Sequence, residues 1–153
     1  MMTLWCIFRS PLMFGGNLPD NDPFTLALLT NKRVKNVLMK SKNNHSLFRD
    51  TEKAAWIADD TGTRAKYLAV FNIGDKEGAA NIPIDLKQVG CTTPCTITDL
   101  WSGKQLGKFS GEFAPGIAKH GPHLLLMDEA TVGLDPQSRS GLLKLMKLFL
   151  AKK

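Results

Sequence analysis

The sequence lacks any uninterrupted apolar run near the ~20 residues that a helix needs to cross a membrane. Residues 1–7 are too few for a signal peptide and lack its basic first segment. We therefore expect no membrane span and no export signal in the chain as written. Its 153 residues, 43% of them hydrophobic, can bury about one ordinary core, so the length excludes two complete catalytic domains.

Cysteine is scarce, with only three residues in the chain. A structural zinc site needs about four ligands and no second cysteine pair exists, which disfavours zinc. Cys91 and Cys95 lie in the segment GCTTPC and are close enough in sequence to close a small disulfide loop in an oxidising compartment. Two reduced thiols are the alternative that this spacing leaves open. Cys6 lies in an apolar segment and has no predicted partner.

Carboxylates are missing from the longest basic stretch, residues 32–49. Aromatic residues that could stack on bases do not alternate with its positive charges, so a solvated basic face is expected and no nucleic-acid partner. The basic residues of the stretch are Lys32, Arg33, Lys35, Lys40, Lys42 and Arg49.

The first 45 residues predict a helix, a short strand and a second helix. The apolar segment 3–9 is helical and ends at Pro11, because the residue before proline is disfavoured in the α region. Residues 12–14 follow as a short buried strand. Asn21 or Asp22 can then cap a helix that begins at Pro23. The expected buried face of that helix consists of Phe24, Leu26, Ala27, Leu28 and Leu29.

From about residue 54 the pattern changes to short alternating segments separated by turns, which is typical of antiparallel β structure. Residues 65–73 are apolar on both faces and should form a central strand. Trp56 and Trp101 are expected in the core and not as sugar-stacking platforms. An antiparallel β-sandwich is therefore predicted over residues 46–127. Its candidate strands are 54–59, 65–73, 79–86, 95–101, 106–113 and 123–127.

Residues 128–153 have a different residue pattern. A turn-rich stretch is followed by an amphipathic pattern over 138–153 that predicts a C-terminal helix. The predicted organisation is thus a mainly β fold with three segments, 1–45, 46–127 and 128–153.

Several segments of the chain carry the pattern of one enzyme family. They are WCIFRSPLMFGGNL at 5–18, WIADD at 56–60, DLWSG at 99–103 and HGPHLL at 120–125. Over about residues 4–126 the chain resembles the C-terminal part of a glycoside hydrolase family 27 α-galactosidase. The resemblance implies that residues 1–45 are the last β/α unit of a TIM-type barrel, an α-β-α remnant, and that an antiparallel sandwich follows it.

Enzymes of that family are retaining glycosidases that release terminal α-galactose with two aspartates on earlier barrel strands. A retaining mechanism needs two carboxyl groups about 5–5.5 Å apart. No aspartate of this sequence matches either one, since Asp20 and Asp22 begin a helix and Asp59 and Asp60 belong to a turn. We therefore expect no catalytic residue, and an accessory fragment of an α-galactosidase that is not catalytic alone.

The same resemblance implies partners and a compartment. The rest of the barrel is the expected partner, with α-galactoside-containing sugars as a further one. The resemblance also implies a short-range cysteine pair at Cys91 and Cys95, which favours the disulfide. Family members are usually secreted, periplasmic or lysosomal, whereas the location of this chain stays open. A carbohydrate-binding module is an alternative function that would require exposed aromatic residues on one sandwich face.

The segment LLLMDEATVGLDPQS at 124–138 has a second resemblance. It is similar to the Walker B strand and D-loop of an ABC-transporter ATPase, which implies that Asp128 holds Mg²⁺ through water, Glu129 polarises the attacking water and Asp135 belongs to the D-loop. Phosphoryl transfer also needs a G-x-x-x-x-G-K-S/T loop, and the sequence contains none. We expect no bound cofactor and no ATPase activity, although a fragment of an ABC-transporter ATP-binding subunit is the other alternative. The two resemblances meet at residues 124–126, which suggests a chimera.

Overall fold

The computed structural model describes residues 1–129 of the chain. It contains three α-helices, one short 3-10 helix at Leu18–Asp20 and ten strands in this range. The helices are α1 (Met2–Ile7), α2 (Pro23–Thr30) and α3 (Lys32–Lys40). The strands are β1 (Ser41–Arg49), β2 (Lys53–Asp60), β3 (Lys66–Asn72), β4 (Ala79–Asn81), β5 (Ile84–Asp85), β6 (Cys95–Asp99), β7 (Gln105–Phe109), β8 (Glu112–Phe113), β9 (Gly116–Ala118) and β10 (Pro122–Glu129).

Six of the strands form one antiparallel sheet in the order β1-β2-β3-β10-β6-β7. The two remaining pairs, β4 with β9 and β5 with β8, form two small sheets. The predicted central strand is confirmed, because β3 pairs with β2 on one side and with β10 on the other. The fold is therefore mainly β and sandwich-like, as the sequence predicts.

The large sheet is buried on both faces. Successive side chains of a strand point to opposite faces, so Leu68 and Val70 of β3 enter one cluster of buried residues and Tyr67 and Ala69 enter the other. The first cluster includes residues from three of the four strands of the small sheets, namely Ile84 of β5, Phe113 of β8 and Ile117 of β9. The second includes residues of α1 and α3, such as Ile7 and those that α3 buries. The helices thus cover the face opposite the small sheets.

Helix α3 differs from the sequence-based expectation, which is only a solvated basic face over residues 32–49. Asn31 begins the helix, since its Oδ1 accepts hydrogen bonds from the backbone N–H groups of Arg33 (3.1 Å) and Val34 (3.3 Å). Val34 and Val37, three positions apart, share the buried side of the helix. The preceding cap was predicted correctly, because Asp22 Oδ1 accepts from the backbone N–H of Thr25 at 3.0 Å.

Two predictions for residues 1–45 are wrong. Residues 12–14 form no strand, and Met13 is 85% exposed. Helix α2 buries no residue fully, and Phe24 is 70% exposed. A parallel strand needs strand neighbours and a helix needs a packing surface, and residues 1–129 supply neither here.

Several strand boundaries also differ from the prediction. Strand β1 crosses residue 46, where the sandwich was expected to begin, although the division into three segments itself stays a prediction. The expected strand 79–86 is two strands separated by Pro83, which has no N–H to donate to a ladder. The expected strand 106–113 ends at Phe109 and resumes as β8 after Gly111, whose φ is +79°. The predicted helix 138–153 lies outside the described residues.

Candidate functional site

The turn that follows β6, residues 99–103, connects the helices to the sheet. The side chain of Arg33 donates from Nε to the carbonyl oxygen of Leu100 (3.1 Å) and from Nη2 to that of Trp101 (3.3 Å). Asn31 Nδ2 donates to the same Trp101 carbonyl at 3.1 Å. Gly103 is required here, because its φ is +75° and a Cβ would lie 2.7 Å from Arg33 Cζ. The start of α3 is therefore fixed to the sandwich.

Helix α1 is fixed to the sandwich at both of its ends. The indole N–H of Trp101 donates to Thr3 Oγ1 at 2.9 Å. At the other end, Asn44 Nδ2 donates to the carbonyl oxygen of Ile7 at 2.7 Å, and the ring centroids of Phe8 and Trp56 are 4.1 Å apart. The N-terminal segment is therefore not detached from the sandwich, as a remnant would be, because α1 and α3 complete one of its two cores.

The exposed large hydrophobic residues are concentrated in this same N-terminal segment. Among the described residues, all of them except Ile73 come from residues 1–39. We use the name N-terminal apolar surface for six of them: Trp5, Phe8, Met13, Phe14, Phe24 and Leu26. Exposed apolar side chains that accumulate in one segment are typical of an interaction surface.

A groove of about 460 Å³ opens beside the 99–103 turn. Its walls come from α1, α2, the end of β6 and the beginning of β10, and they include Thr3, Leu28, Asp99, Trp101 and His123. Trp101 is half-buried, as is Trp56 in β2. In the described strands, every tryptophan, tyrosine and phenylalanine is at least half-buried. The aromatic face that a carbohydrate-binding module would need is therefore not found on the strands of the described sandwich.

Aspartates 59 and 60 stabilise the end of β2. Asp60 is buried and accepts hydrogen bonds from the Tyr67 hydroxyl (2.9 Å) and the Thr63 hydroxyl (2.6 Å). Burial raises the pKa of Asp60, but these hydrogen bonds outweigh it, so the net pKa is lowered. Asp59 pairs with Lys66, and hydrogen bonds from Lys66 and Asn43 lower its pKa. Adjacent residues of a strand point to opposite faces, so these two carboxylates do not flank one site.

The other two aspartates considered in the sequence lie near the start of α2. Asp22 caps that helix, and hydrogen bonds from Thr25 lower its pKa. Asp20 belongs to the 3-10 helix and accepts a hydrogen bond from Asn17.

Cys91 and Cys95 are buried neighbours whose sulfur atoms are not joined in this structure. Burial, together with the hydrogen bond to Cys95, raises the pKa of the Cys91 thiol to about 12. Burial also raises the pKa of Cys95, and that of Cys6 to about 11. Neutral thiols react slowly, so the folded chain keeps these groups inert. The predicted disulfide stays a prediction.

Of the residues that resemble a Walker B strand, two lie in the described part of the chain. Asp128 is exposed on β10, opposite Thr96. Glu129 accepts hydrogen bonds from the backbone N–H of Thr92 at 2.7 Å and from the Thr92 hydroxyl at 3.3 Å, and the backbone bond lowers its pKa. Glu129 therefore holds the loop between the two cysteines, a contact that the sequence analysis missed. Asp135 lies outside the described residues.

In residues 1–129, no cluster of three or more His, Cys, Asp or Glu residues is arranged to hold a metal ion. No helix in this range is both long enough and apolar enough to cross a bilayer.

Comparison with known proteins gives consistent matches. Residues 50–127 match the family described as the alpha galactosidase C-terminal beta sandwich domain. The structure resembles that of a glycoside hydrolase family 27 β-L-arabinopyranosidase from Geobacillus stearothermophilus, with 37% identity and a TM-score of 0.80 over 88% of this chain and 30% of that enzyme. A comparison with curated proteins found no match.

Two other structures share the fold. A protein from Bacillus halodurans C-125, proposed to be an α-N-acetylgalactosaminidase, has 32% identity and a TM-score of 0.79 over 85% of this chain and 30% of its own. The α-galactosidase I of Mortierella vinacea has 22% identity and a TM-score of 0.76 over 86% of this chain and 35% of its own, which supports the fold alone. This chain thus spans about a third of the length of these relatives. The family match ends at residue 127, and the comparisons do not support the resemblance of residues 124–153 to an ABC-transporter ATPase.

Proposed function

The chain belongs to the alpha galactosidase C-terminal beta sandwich family, and from this premise we propose that it is the accessory part of a family 27 glycosidase. In this proposal the sandwich carries no chemistry of its own. It holds residues 1–45, which the proposal assigns to the end of a catalytic barrel, and the two catalytic carboxylates belong to the rest of that barrel. The observation that carries the proposal is the N-terminal apolar surface.

Helix α1 illustrates why this surface points to a missing neighbour. Cys6 and Ile7 are fully buried against the sheet, whereas Trp5 is 38% exposed. A surface helix normally places its apolar stripe on one side and polar residues on the other. Here a large apolar residue also lies where the sandwich does not fully cover the helix. Helix α2 continues the same trend with Phe24 and Leu26.

The relatives limit what the sandwich can contribute to specificity. One is a β-L-arabinopyranosidase and another an α-galactosidase, yet both contain the fold of this chain. A domain shared by enzymes with different substrates does not by itself select the substrate. We therefore assign retaining hydrolysis of terminal α-galactosides, or of closely related glycosides, to the barrel that this chain would complete.

Complementation in trans tests this assignment. The barrel of the Geobacillus relative, shortened so that it ends before the segment that this chain matches, is co-expressed with the full chain. Co-purification and recovered hydrolysis of a chromogenic β-L-arabinopyranoside are expected, because the chain supplies the segment that the shortened barrel lacks. Neither partner alone should hydrolyse the substrate.

Two matched variants distinguish a specific interface from nonspecific association. Phe24→Glu places a charge on the N-terminal apolar surface and should abolish co-purification without changing the melting temperature of the chain alone. Ile73→Glu changes an exposed apolar residue outside that surface and should have no effect. Equal behaviour of the two variants, or no association of the unmodified chain, would count against the proposal.

Residues 124–153, which resemble an ABC-transporter ATPase, have no nucleotide-binding role in this proposal. We propose that residues 124–153 descend from a Walker B and D-loop region and bind no nucleotide. The absence of a phosphate-binding loop from the sequence and the hydrogen bonds of Glu129 to Thr92 support this proposal. A fragment of an ABC-transporter ATP-binding subunit would instead require a response to Mg²⁺ and ATP.

A further inference from the structure

The groove beside the 99–103 turn has the size of a small-ligand site. Its volume of about 460 Å³ falls within the roughly 300–1,000 Å³ that such pockets occupy. It is separate from the N-terminal apolar surface, because none of that surface's six residues lines it. Pockets of this kind combine apolar walls with a few polar groups that fix a ligand's orientation.

The polar groups of the groove are only partly used within the described chain. Trp101 has both of its N–H groups committed, the indole to Thr3 Oγ1 at 2.9 Å and the backbone to Asp99 Oδ1 at 2.8 Å. The second carboxylate oxygen of Asp99 and both ring nitrogens of His123 make no hydrogen bond within residues 1–129. Acceptors and a donor thus remain available beside a half-buried indole ring.

These groups discriminate between kinds of occupant. An apolar peptide segment would cover the carboxylate of Asp99 and the imidazole of His123 without satisfying them, which costs free energy. A cation would favour several aromatic faces or several carboxylates, and the groove offers one of each. A pyranose ring has an apolar C–H face and neighbouring hydroxyl groups that both donate and accept hydrogen bonds, so it matches the whole set.

We propose that this groove binds one pyranose unit of a carbohydrate. The indole of Trp101 packs against the C–H face of the sugar, Asp99 accepts hydrogen bonds from one or two hydroxyls, and His123 bonds to a neighbouring hydroxyl. The site uses residues of this chain alone and does not depend on the proposed association with a barrel. It also differs from a binding face on the strands, because it lies where the helices meet the sheet.

The test is a titration of the full chain with methyl α-D-galactopyranoside, followed by tryptophan fluorescence and by NMR shifts of the His123 ring. A saturable response with a dissociation constant on the order of 1 mM is expected. His123→Ala and Asp99→Asn each remove or weaken a hydrogen bond and should raise that constant by about 2- to 10-fold. His45→Ala removes an imidazole on β1 and should leave it unchanged.

The variants distinguish loss of sugar binding from loss of folding. Asp99→Asn retains a side-chain oxygen for the Trp101 backbone N–H, and the ring of His123 makes no hydrogen bond within residues 1–129, so loss of folding is not the expected reason for weaker binding. A melting curve of each variant checks this. A response that rises linearly without saturation, or equal affinities of His123→Ala and the unmodified chain, would overturn the proposal. Because no barrel is present, this failure is distinct from a failure of complementation.

Discussion

Replacing Tyr67 with phenylalanine should weaken the sandwich through a single hydrogen bond. The Tyr67 hydroxyl donates to Asp60 Oδ1 at 2.9 Å, and both residues are buried. Burial and the contact with Asp60 raise the pKa of Tyr67 well above its usual value, so the hydroxyl stays a donor at any ordinary pH. A hydrogen bond to a charged group contributes about 1.5–3 kcal/mol. We expect the free energy of unfolding to fall by about 2 kcal/mol at pH 7.

The same substitution should have a characteristic pH dependence. The pKa of Asp60 is lowered in the folded chain, so its ionised form stabilises the fold above the unfolded value of about 3.9, and this contribution is lost as the pH falls through the folded pKa. In Tyr67→Phe the folded pKa of Asp60 rises, because one of the hydrogen bonds that oppose the effect of burial is lost. The difference between the two proteins should therefore be largest at pH 7 and shrink below about pH 4.

Urea unfolding followed by tryptophan fluorescence measures both effects. Asp59→Asn is the matched control, since Asp59 neighbours Asp60 in β2 but pairs with Lys66 where the two side chains are 28% and 32% exposed. Such an ion pair contributes at most about 1 kcal/mol. A Tyr67→Phe effect no larger than that of the control at pH 7, or one that grows on acidification, would contradict this role of the hydrogen bond.

Three other predictions concern the cysteine pair, the acidic end of β10 and the contacts of Arg33 with the 99–103 turn. Cys91 and Cys95 should form a disulfide during oxidative refolding but resist oxidation once folded, because burial raises both thiol pKa values; non-reduced peptide mass spectrometry that finds two free thiols after refolding would contradict this. Mg²⁺ with ATP should leave the melting temperature of the full chain unchanged, and a rise that is lost in Asp128→Ala would show a nucleotide site. Arg33→Ala should cost about 1 kcal/mol through its two carbonyl contacts, whereas Lys35→Ala should cost nothing measurable in the same urea assay.

The central strand was predictable from its composition. Residues 65–73 are apolar on both faces, a pattern typical of a strand that is covered on both sides. The cap at Asp22 was predictable for a similar reason, because the interaction with Thr25 is local. The paired strand β10 was expected from its apolar run, although its extension to Glu129 depends on pairing with β6.

The remaining elements depend on contacts between distant residues. Helix α3 has Val34 and Val37 among basic residues, and nothing in that short pattern shows that a sheet will cover the valines. Strand β1 is mostly polar, so its pairing with β2 leaves no periodic signal. The apolar residues 12–14 were expected to form a strand and do not, since a run of this kind forms a strand only beside other strands. The groove beside the 99–103 turn could not be predicted from the sequence either, because Thr3, Trp101 and His123 are brought together only by the fold.

The position of β10 in the sheet has a consequence for synthesis. The strand lies between β3 and β6 and separates β1-β2-β3 from β6-β7. Until a ribosome has released residues 122–129, the nascent chain holds two partial sheets, each with one edge that the finished protein covers. Exposed strand edges pair readily with other chains, and long-range pairing is slow. Chaperone capture should therefore peak in the interval before β10 emerges, and ribosome stalling within that interval should lead to aggregation.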